Sequence, residues 1–445
     1  MGFVAAAAWV AISAGLFQLF QRYDWEEGKV RGLLLIALAL TAFVPPLFAK
    51  RLRLRAEAPP WLRNLTFLGV GLLLLLHVRS GYLSARRDVR SEMGEIHYRA
   101  VKLLNRGVNP YAATTVLDSG SYESIIGFDS VQRCGDLSPS EGRARLNRFW
   151  SSIDPGEMKA LIPHLRSSPD CAEARSWMSM VGLKYGPVML LSYYPLVVVF
   201  GRPGIYLTHI VLLLALAALL FWRQQSLEET SSVTLPALVP LAILMGPSLL
   251  RFLTLQHSDA DLAPTLLAVL GLVLLERGHH RAGAVSLGLS VGAKLFPALL
   301  YLPLLLGAPR KAWAWALGTM ALAFGPFVAW DAEGLWHNLI LFNFARYGDS
   351  TALSFYLSAP ARNALLAVYV AVLLILVVQA HRRGWPSLRR LAYLLVAHLG
   401  LFLTAKVFHN NYLVWLLPLY GIWLADSLRR AAYVEGGGSA PFGAR

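Results

Sequence analysis

The chain has 445 residues, of which 56% are hydrophobic and 15% are charged, and its formal net charge is +15. This composition excludes a soluble globular enzyme and a disordered chain, and it is typical of a membrane protein with several spanning helices. The excess of lysine and arginine indicates cytoplasmic loops rather than nucleic-acid binding, since no basic helix with interleaved aromatic residues is present. We therefore expect contacts with membrane lipids and none with nucleic acid.

The first part of the chain predicts three spanning helices. Apolar runs at 2–20 and 32–49 are followed by the densest basic cluster, at 50–55. The positive-inside rule places this cluster and the N-terminus in the cytoplasm. Residues 2–20 lack a basic start and a cleavage site, which favours a spanning helix over a signal peptide. The run at 65–78 then crosses outward, so the long hydrophilic stretch 79–184 is predicted to lie outside the cytoplasm.

An amphipathic helix is predicted directly after the third crossing, at the membrane surface. Gly107 and Pro110 predict its end, because glycine tolerates a left-handed cap and proline cannot continue a helix. Carboxylates on its aqueous face are well placed to act as a general base, although Glu95 could simply pair with Arg99 four residues on. The apolar face carries Ile96, Ala100 and Leu103. The charged face carries Glu92, Glu95, Arg99, Lys102 and Arg106.

The only two cysteines, Cys134 and Cys171, both lie within 79–184. A position outside the cytoplasm favours a disulfide between them, and two free thiols are the alternative.

From residue 185 onward the sequence predicts a series of further crossings, which brings the total to about twelve. Strict alternation would place the basic turn 277–281 outside, against the positive-inside rule. Lys294 and Pro297 within the run 282–306 predict two short helices meeting at Lys294, which would remove this conflict. The Gly246-Pro247 step is a second candidate break. Residues 431–445 are rich in glycine and serine and predict a disordered tail. The apolar runs are 186–201, 205–222, 233–250, 262–275, 282–306, 312–330, 361–379, 391–408 and 412–424.

Several polar residues interrupt these runs. A charge within an apolar run costs about 2.5–3.5 kcal/mol on insertion scales, so Lys294 predicts a cation that binds a phosphate; snorkelling, or pairing with an internal acid, is the alternative. The cluster 256–261 holds Gln256, His257 and two aspartates, for which helix capping is favoured over a metal site. Arg346 suits bidentate phosphate binding, and His409 lies in a polar turn between the last two helices.

The motif from Glu95 to Tyr111 resembles that of the polytopic GT-C glycosyltransferases, in particular glycosyltransferase family 87, whose donors are polyprenyl-phosphate sugars. The family's acid is usually an aspartate one or two residues further from the tyrosine, so Glu92 or Asp88 could replace Glu95. The elements that carry the resemblance are Glu95, Tyr98, Ala100-x-x-Leu103-Leu104 and Gly107-x-x-Pro110-Tyr111, then Tyr185-Gly-Pro187 with Pro195, Gln256-His257 after Gly246-Pro247, Lys294-Leu-Phe-Pro297, and His409 before Tyr412.

This resemblance implies an all-α, GT-C-like membrane protein with its long first periplasmic loop after the third helix. Residues 1–64 would be an addition to the family, 65–430 the catalytic domain and 431–445 the tail. The implied enzyme lies in the plasma (inner) membrane with its active site outside, and moves a hexose, in this family type mannose, to a lipid or glycan hydroxyl with inversion. Glu95 or Glu92 would be the base, without a cofactor or metal, and the predicted substrate contacts are Tyr98, Asn109, Tyr111, Gln256, His257, Lys294, Arg346 and His409.

Two other classes remain open. A flippase of lipid-linked glycans would favour charges in several helices and no large outer loop with acids beside a helix end. A glycan polymerase or ligase with a diphosphate-linked donor relies on arginine and histidine in its large loop, and this loop offers Arg143, Arg145, Arg148 and His164.

Overall fold

The computed structural model describes residues 2–22, 28–47, 60–87, 92–111, 183–225, 235–251, 255, 260–341, 352–383, 387–405 and 408–435. Within these ranges the chain is helical and forms no strand, as the apolar runs predict. In the part of the chain that the structure describes, four helices are long and apolar enough to cross a membrane: Asn64–Arg86, Pro203–Gln225, Arg310–Trp336 and Ala359–Arg382. The total of about twelve crossings remains a prediction.

The helices follow the predicted order, with short 3-10 turns between some of them. The last helix continues beyond the predicted start of the tail at 431. The helices are α1 (Gly2–Arg22), α2 (Gly28–Leu47), α3 (Pro60–Arg86), α4 (Glu92–Asn105), α5 (Pro187–Phe200), α6 (Pro203–Gln225), α7 (Leu235–Met245), α8 (Leu262–Glu276), α9 (His280–Ala293), α10 (Leu295–Ala298), α11 (Arg310–Trp336), α12 (Ala359–Arg383), α13 (Ser387–Thr404) and α14 (Leu413–Glu435).

Helix α4 ends where the sequence predicts. The N–H of Gly107 donates to the carbonyl of Leu104, and the N–H of Val108 donates to the carbonyl of Leu103, both at 3.0 Å. Gly107 has a φ of 71°, which an L-residue with a side chain rarely adopts. These paired bonds satisfy carbonyls that the helix itself leaves open, so the predicted glycine stop is confirmed.

Ion pairs join the ends of α6 and α8 to the middle of α14 on one side of the bundle. The Arg223 guanidinium near the end of α6 donates to Glu276 at the end of α8 at 2.8 Å and to Asp426 of α14 at 2.9 Å. We call this side the Arg223 face. Helices α8 and α14 begin on the opposite side, where Asn411 donates to Asp261. Because Lys294 also lies there, we call it the Lys294 face.

Helix α5 begins and ends beside α4. Just before this helix, the Tyr185 hydroxyl contacts the Met93 sulfur of α4 at 3.4 Å. Just after it, the Arg202 guanidinium lies 4.8 Å from the ring of Tyr98, also on α4. Both ends of α5 therefore lie beside α4, which lies on the Lys294 face.

This path explains the conflict over the basic turn 277–281. Because α5 returns to the face on which it began, α6 runs from the Lys294 face to the Arg223 face, and α8 does the same. The turn after Glu276 therefore lies on the Arg223 face. The predicted break at Lys294 is confirmed, since α9 ends at Ala293 and Lys294 is extended (φ −149°, ψ 115°). The number of crossings between 185 and 310 and their orientation in the membrane remain predictions.

A close backbone approach fixes the start of α5 against the end of α9. The Gly186 N–H donates to the Ala293 carbonyl at 2.8 Å. A Cβ atom added at Gly186 would collide with the carbonyl oxygen of Gly292. The same contact carries Tyr185 to the side of Lys294, where the aromatic ring lies 5.3 Å from the ammonium.

We expect Gly186→Ala to lower the free energy of unfolding by about 1–3 kcal/mol, because the added methyl group overpacks a backbone contact that cannot move aside easily. Thermal unfolding of the purified protein in detergent would measure this loss. Gly318→Ala in α11 is the matched control, since nothing lies within 4 Å of its added Cβ. Equal unfolding temperatures for the two variants would contradict the role given to the Gly186 contact.

Candidate active site

Lys294 lies at the break between α9 and α10 with its ammonium paired to Asp261 at 2.5 Å. Its side chain is 13% exposed, so the group is largely but not fully enclosed. The rings of Tyr185 and Tyr412 lie 5.3 and 4.9 Å from the nitrogen. Aromatic faces attract a cation and shield it from competing water.

Asp261 is fully buried at the start of α8, and its carboxylate accepts several hydrogen bonds. Besides Lys294, the Asn411 side-chain amide donates to it at 2.8 Å and the Trp415 indole N–H at 2.7 Å. A buried carboxylate requires such donors and a cation to remain ionised. The alternative in which Lys294 pairs with an internal acid therefore matches the observed geometry.

The ion pair leaves part of the Lys294 ammonium available. An ammonium carries three N–H donors, and within the described residues Asp261 is its only hydrogen-bond acceptor. The two other donors can bind an anion without breaking the pair. Asp261 and its amide and indole neighbours then hold the lysine in place, and pairing and phosphate binding are compatible roles for this side chain.

His97 of α4 brings the amphipathic helix into the same cluster. Its ring is buried between those of Tyr185 and Tyr193, at centroid distances of 4.9 and 4.7 Å, and its Nδ1 lies 2.7 Å from the Met93 carbonyl. Burial, together with the nearby positive charges of Lys294 and Lys184, lowers the pKa of His97 to about 4. His97 is therefore neutral near pH 7.

The lowered pKa of His97 makes the fold sensitive to acid. The burial of neutral His97 stabilises the fold fully above pH 6.5, the ordinary histidine pKa, and this contribution is lost as the pH falls towards 4. Between these two pH values a proton binds to the histidine of the unfolded chain but not to that of the folded protein.

Three predicted substrate contacts on and after α4 are well defined. The ring of Tyr98 lies between Lys102 and Arg202, at 5.3 and 4.8 Å. Asn109 accepts a hydrogen bond from the Tyr111 backbone N–H at 3.0 Å. The Tyr111 side chain is 1% exposed and donates to the carbonyl of Tyr185 at 2.7 Å. In this conformation Asn109 and Tyr111 position Tyr185, whereas Tyr98 is partly open.

The remaining predicted residues are only partly placed. The two candidate bases, Glu92 and Glu95, belong to α4, and this helix packs against α5 on the Lys294 face. His409 is half-buried, and its ring centroid lies 6.4 Å from that of Tyr412, beside Lys294. The side chains of Glu92 and Glu95, and the whole of Asp88, Cys134, Cys171, Gln256, His257 and Arg346, lie outside the described part of the chain.

Sequence reasoning did not assign a role at this site to Asp261, Trp415 or His97, and it considered Asn411 only as an amide of the polar turn suited to a sugar or phosphate. Asp261 was considered only as a metal ligand, yet it is the one acid between 260 and 275, a run of otherwise uncharged residues that precedes Lys294. That pattern of one acid and one base in neighbouring apolar runs was the available signal. Nothing in the local sequence distinguishes Trp415 from any other tryptophan at a helix start.

Comparison with known families places this site in context. The model of glycosyltransferase family 87 matches residues 183–404, which include Tyr185, Asp261 and Lys294 but not α4. No curated protein and no solved structure matches the chain. The match agrees with the motif resemblance, and its range contains the break at Lys294. Over residues 183–404 the chain belongs to glycosyltransferase family 87, and the protein is a membrane glycosyltransferase.

Proposed function

We propose that this enzyme moves a hexose, specifically mannose, from a polyprenyl-phosphate donor to a hydroxyl of a lipid or glycan acceptor outside the cytoplasm. The observation that carries the proposal is the Lys294 ammonium, which is held by Asp261 and retains two hydrogen-bond donors beside the helix that bears the candidate bases. The Lys294 face is then the periplasmic side of the plasma (inner) membrane, because the basic turn 277–281 lies on the other face.

The proposed reaction is a single displacement with inversion. Glu95, or Glu92 in its place, accepts the proton of the acceptor hydroxyl as its oxygen bonds to the anomeric carbon. The bond from that carbon to the phosphate oxygen breaks, and polyprenyl phosphate leaves with both bonding electrons. The donor phosphate carries one negative charge and gains a second on departure, so the need for a cation grows along the reaction. Lys294 can meet that need without a metal or cofactor.

Other polar groups would complete the site. The ring of His409 lies near that of Tyr412, which in turn lies near the Lys294 ammonium. Arg346, Gln256 and His257 are proposed as further donors to the phosphate or sugar. Tyr98 is proposed to contact the sugar, with Asn109 and Tyr111 supporting Tyr185 behind it.

A direct test is to incubate the purified protein with polyprenyl-phosphate mannose, polyprenyl-phosphate glucose and a diphosphate-linked sugar, each with membrane lipid extract as acceptor. We expect transfer from the mannosyl monophosphate, with the product's anomeric configuration, read by NMR, opposite to that of the donor. Transfer from the diphosphate-linked donor alone would favour the polymerase or ligase class. Movement of intact lipid-linked sugar across vesicles without transfer would favour a flippase.

A further inference from the structure

A groove between α8 and α9 opens on the Arg223 face of the bundle. Its volume is about 740 Å³, and its walls are mainly apolar. Leu267, Leu270 and Leu274 of α8 form one wall, and Val285 contributes to the other. One end of the groove, which we call its mouth, is the turn that contains His279, His280 and Arg281, so the apolar walls end at a basic group.

Small residues of the turn before α9 and of α9 itself leave room in the groove. Gly278 of the turn and Ala282 and Ser286 of α9 line it and fill little of its space. The Ser286 hydroxyl donates to the Leu267 carbonyl at 2.7 Å, which satisfies the serine within the protein. The walls on α8 therefore present hydrocarbon to an occupant, whereas at the turn the buried Nδ1 of His280 has no hydrogen-bond partner among the described residues.

The mouth carries positive charge that the described residues do not neutralise. The Arg281 guanidinium lies 3.8 Å from the ring of Trp315 and has no carboxylate partner in the described part of the chain. Glu276, the acid at this turn, is bound by Arg223 through bonds of 2.8 and 3.0 Å. An arginine resting on a tryptophan at a helix end is typical of the headgroup level of a membrane.

We propose that this groove binds an anionic phospholipid from the leaflet at the Arg223 face. The phosphate contacts Arg281 and one acyl chain lies along Leu267, Leu270 and Leu274. Basic pockets between helices on the cytoplasmic side bind anionic headgroups, and a soluble phosphate would leave the apolar walls uncovered. The site is separate from Lys294, because the 14 residues of α9 hold the two about 21 Å apart.

The test uses the full-length protein in detergent, titrated with phosphatidylglycerol or phosphatidylcholine, with bound lipid counted by native mass spectrometry. We expect wild type to prefer phosphatidylglycerol. Arg281→Gln should reduce that preference roughly fivefold, the effect of one basic residue at the surface, and Arg281→Lys should retain most of it. Ala282→Phe should weaken binding of phosphatidylglycerol without changing any charge, because the exposed alanine lines the groove.

Arg382→Gln is the matched control, since Arg382 is an exposed arginine at the end of α12 and does not line the groove. Equal binding of the two lipids by wild type would overturn the proposal. So would an Arg382→Gln variant that loses as much preference as Arg281→Gln, because the preference would then come from the general positive charge of the protein. Unchanged binding in Ala282→Phe would equally exclude the groove. None of these results depends on glycosyl transfer.

Discussion

Replacing Glu95 with glutamine is expected to lower turnover by roughly a hundred- to ten-thousand-fold, the usual loss when a general base is removed. Glutamine keeps the size and polarity of the side chain but cannot accept the proton of the acceptor hydroxyl. Donor binding should persist, so kcat should fall much more than the donor KM changes. Initial rates with a polyprenyl-phosphate sugar, on protein extracted in equal yield, would measure both quantities.

Glu92→Gln and Asp88→Asn are the controls for this prediction, and both should lose far less activity. If Glu92→Gln is inactive and Glu95→Gln is normal, α4 still supplies the base, but from one turn earlier. Normal turnover in all three variants would remove the base from this helix and, with it, the proposed mechanism.

The second large effect is expected at the Lys294–Asp261 pair. Lys294→Gln alone should cost about 3–5 kcal/mol of stability, because it leaves a buried carboxylate without its cation. Loss of activity in that single variant would therefore say little about phosphate binding. The double variant Lys294→Gln with Asp261→Asn removes both charges and should recover most of the lost stability, since replacing a whole buried pair is close to neutral.

Activity in the double variant separates the two roles of Lys294. If the lysine binds the donor phosphate, the double variant should unfold near the wild-type temperature and yet transfer sugar poorly, with a raised donor KM. Lys294→Arg should keep part of the activity, because it keeps the charge. Wild-type kinetics in the double variant would reduce the pair to a structural contact.

What could be predicted from the sequence here depended on local signals. The helix of α4, its end at Gly107 and the break at Lys294 each follow from a few neighbouring residues, and each is confirmed. The path of α5 could not be predicted, because an apolar run of 14 residues reads the same whether it crosses the bilayer or lies against another helix. Its contacts with α4 decide the matter, and those join residues about 90 apart in the chain.

The partner of Lys294 was signalled only by one acid and one base in neighbouring apolar runs. Asp261 meets Lys294 because α8 and α9 form a hairpin whose two ends return to one face. The further donors to its carboxylate, Trp415 of α14 and Asn411 just before that helix, are not indicated by the sequence around Asp261. The predicted polar turn at 409–412 was correctly located, but the role of Asn411 in holding the carboxylate depends on that distant contact.

The hairpin of α8 and α9 has a consequence for how the protein enters the membrane. With the Lys294 face outside, its two ends must both be carried across the bilayer during synthesis. Moving a single positive charge outward against an inside-negative potential requires electrical work of about 2.3 kcal/mol for every 100 mV, and a negative charge returns the same amount. The opposite charges of Asp261 and Lys294 cancel in this electrical work. The membrane potential therefore neither drives nor opposes the passage of this pair.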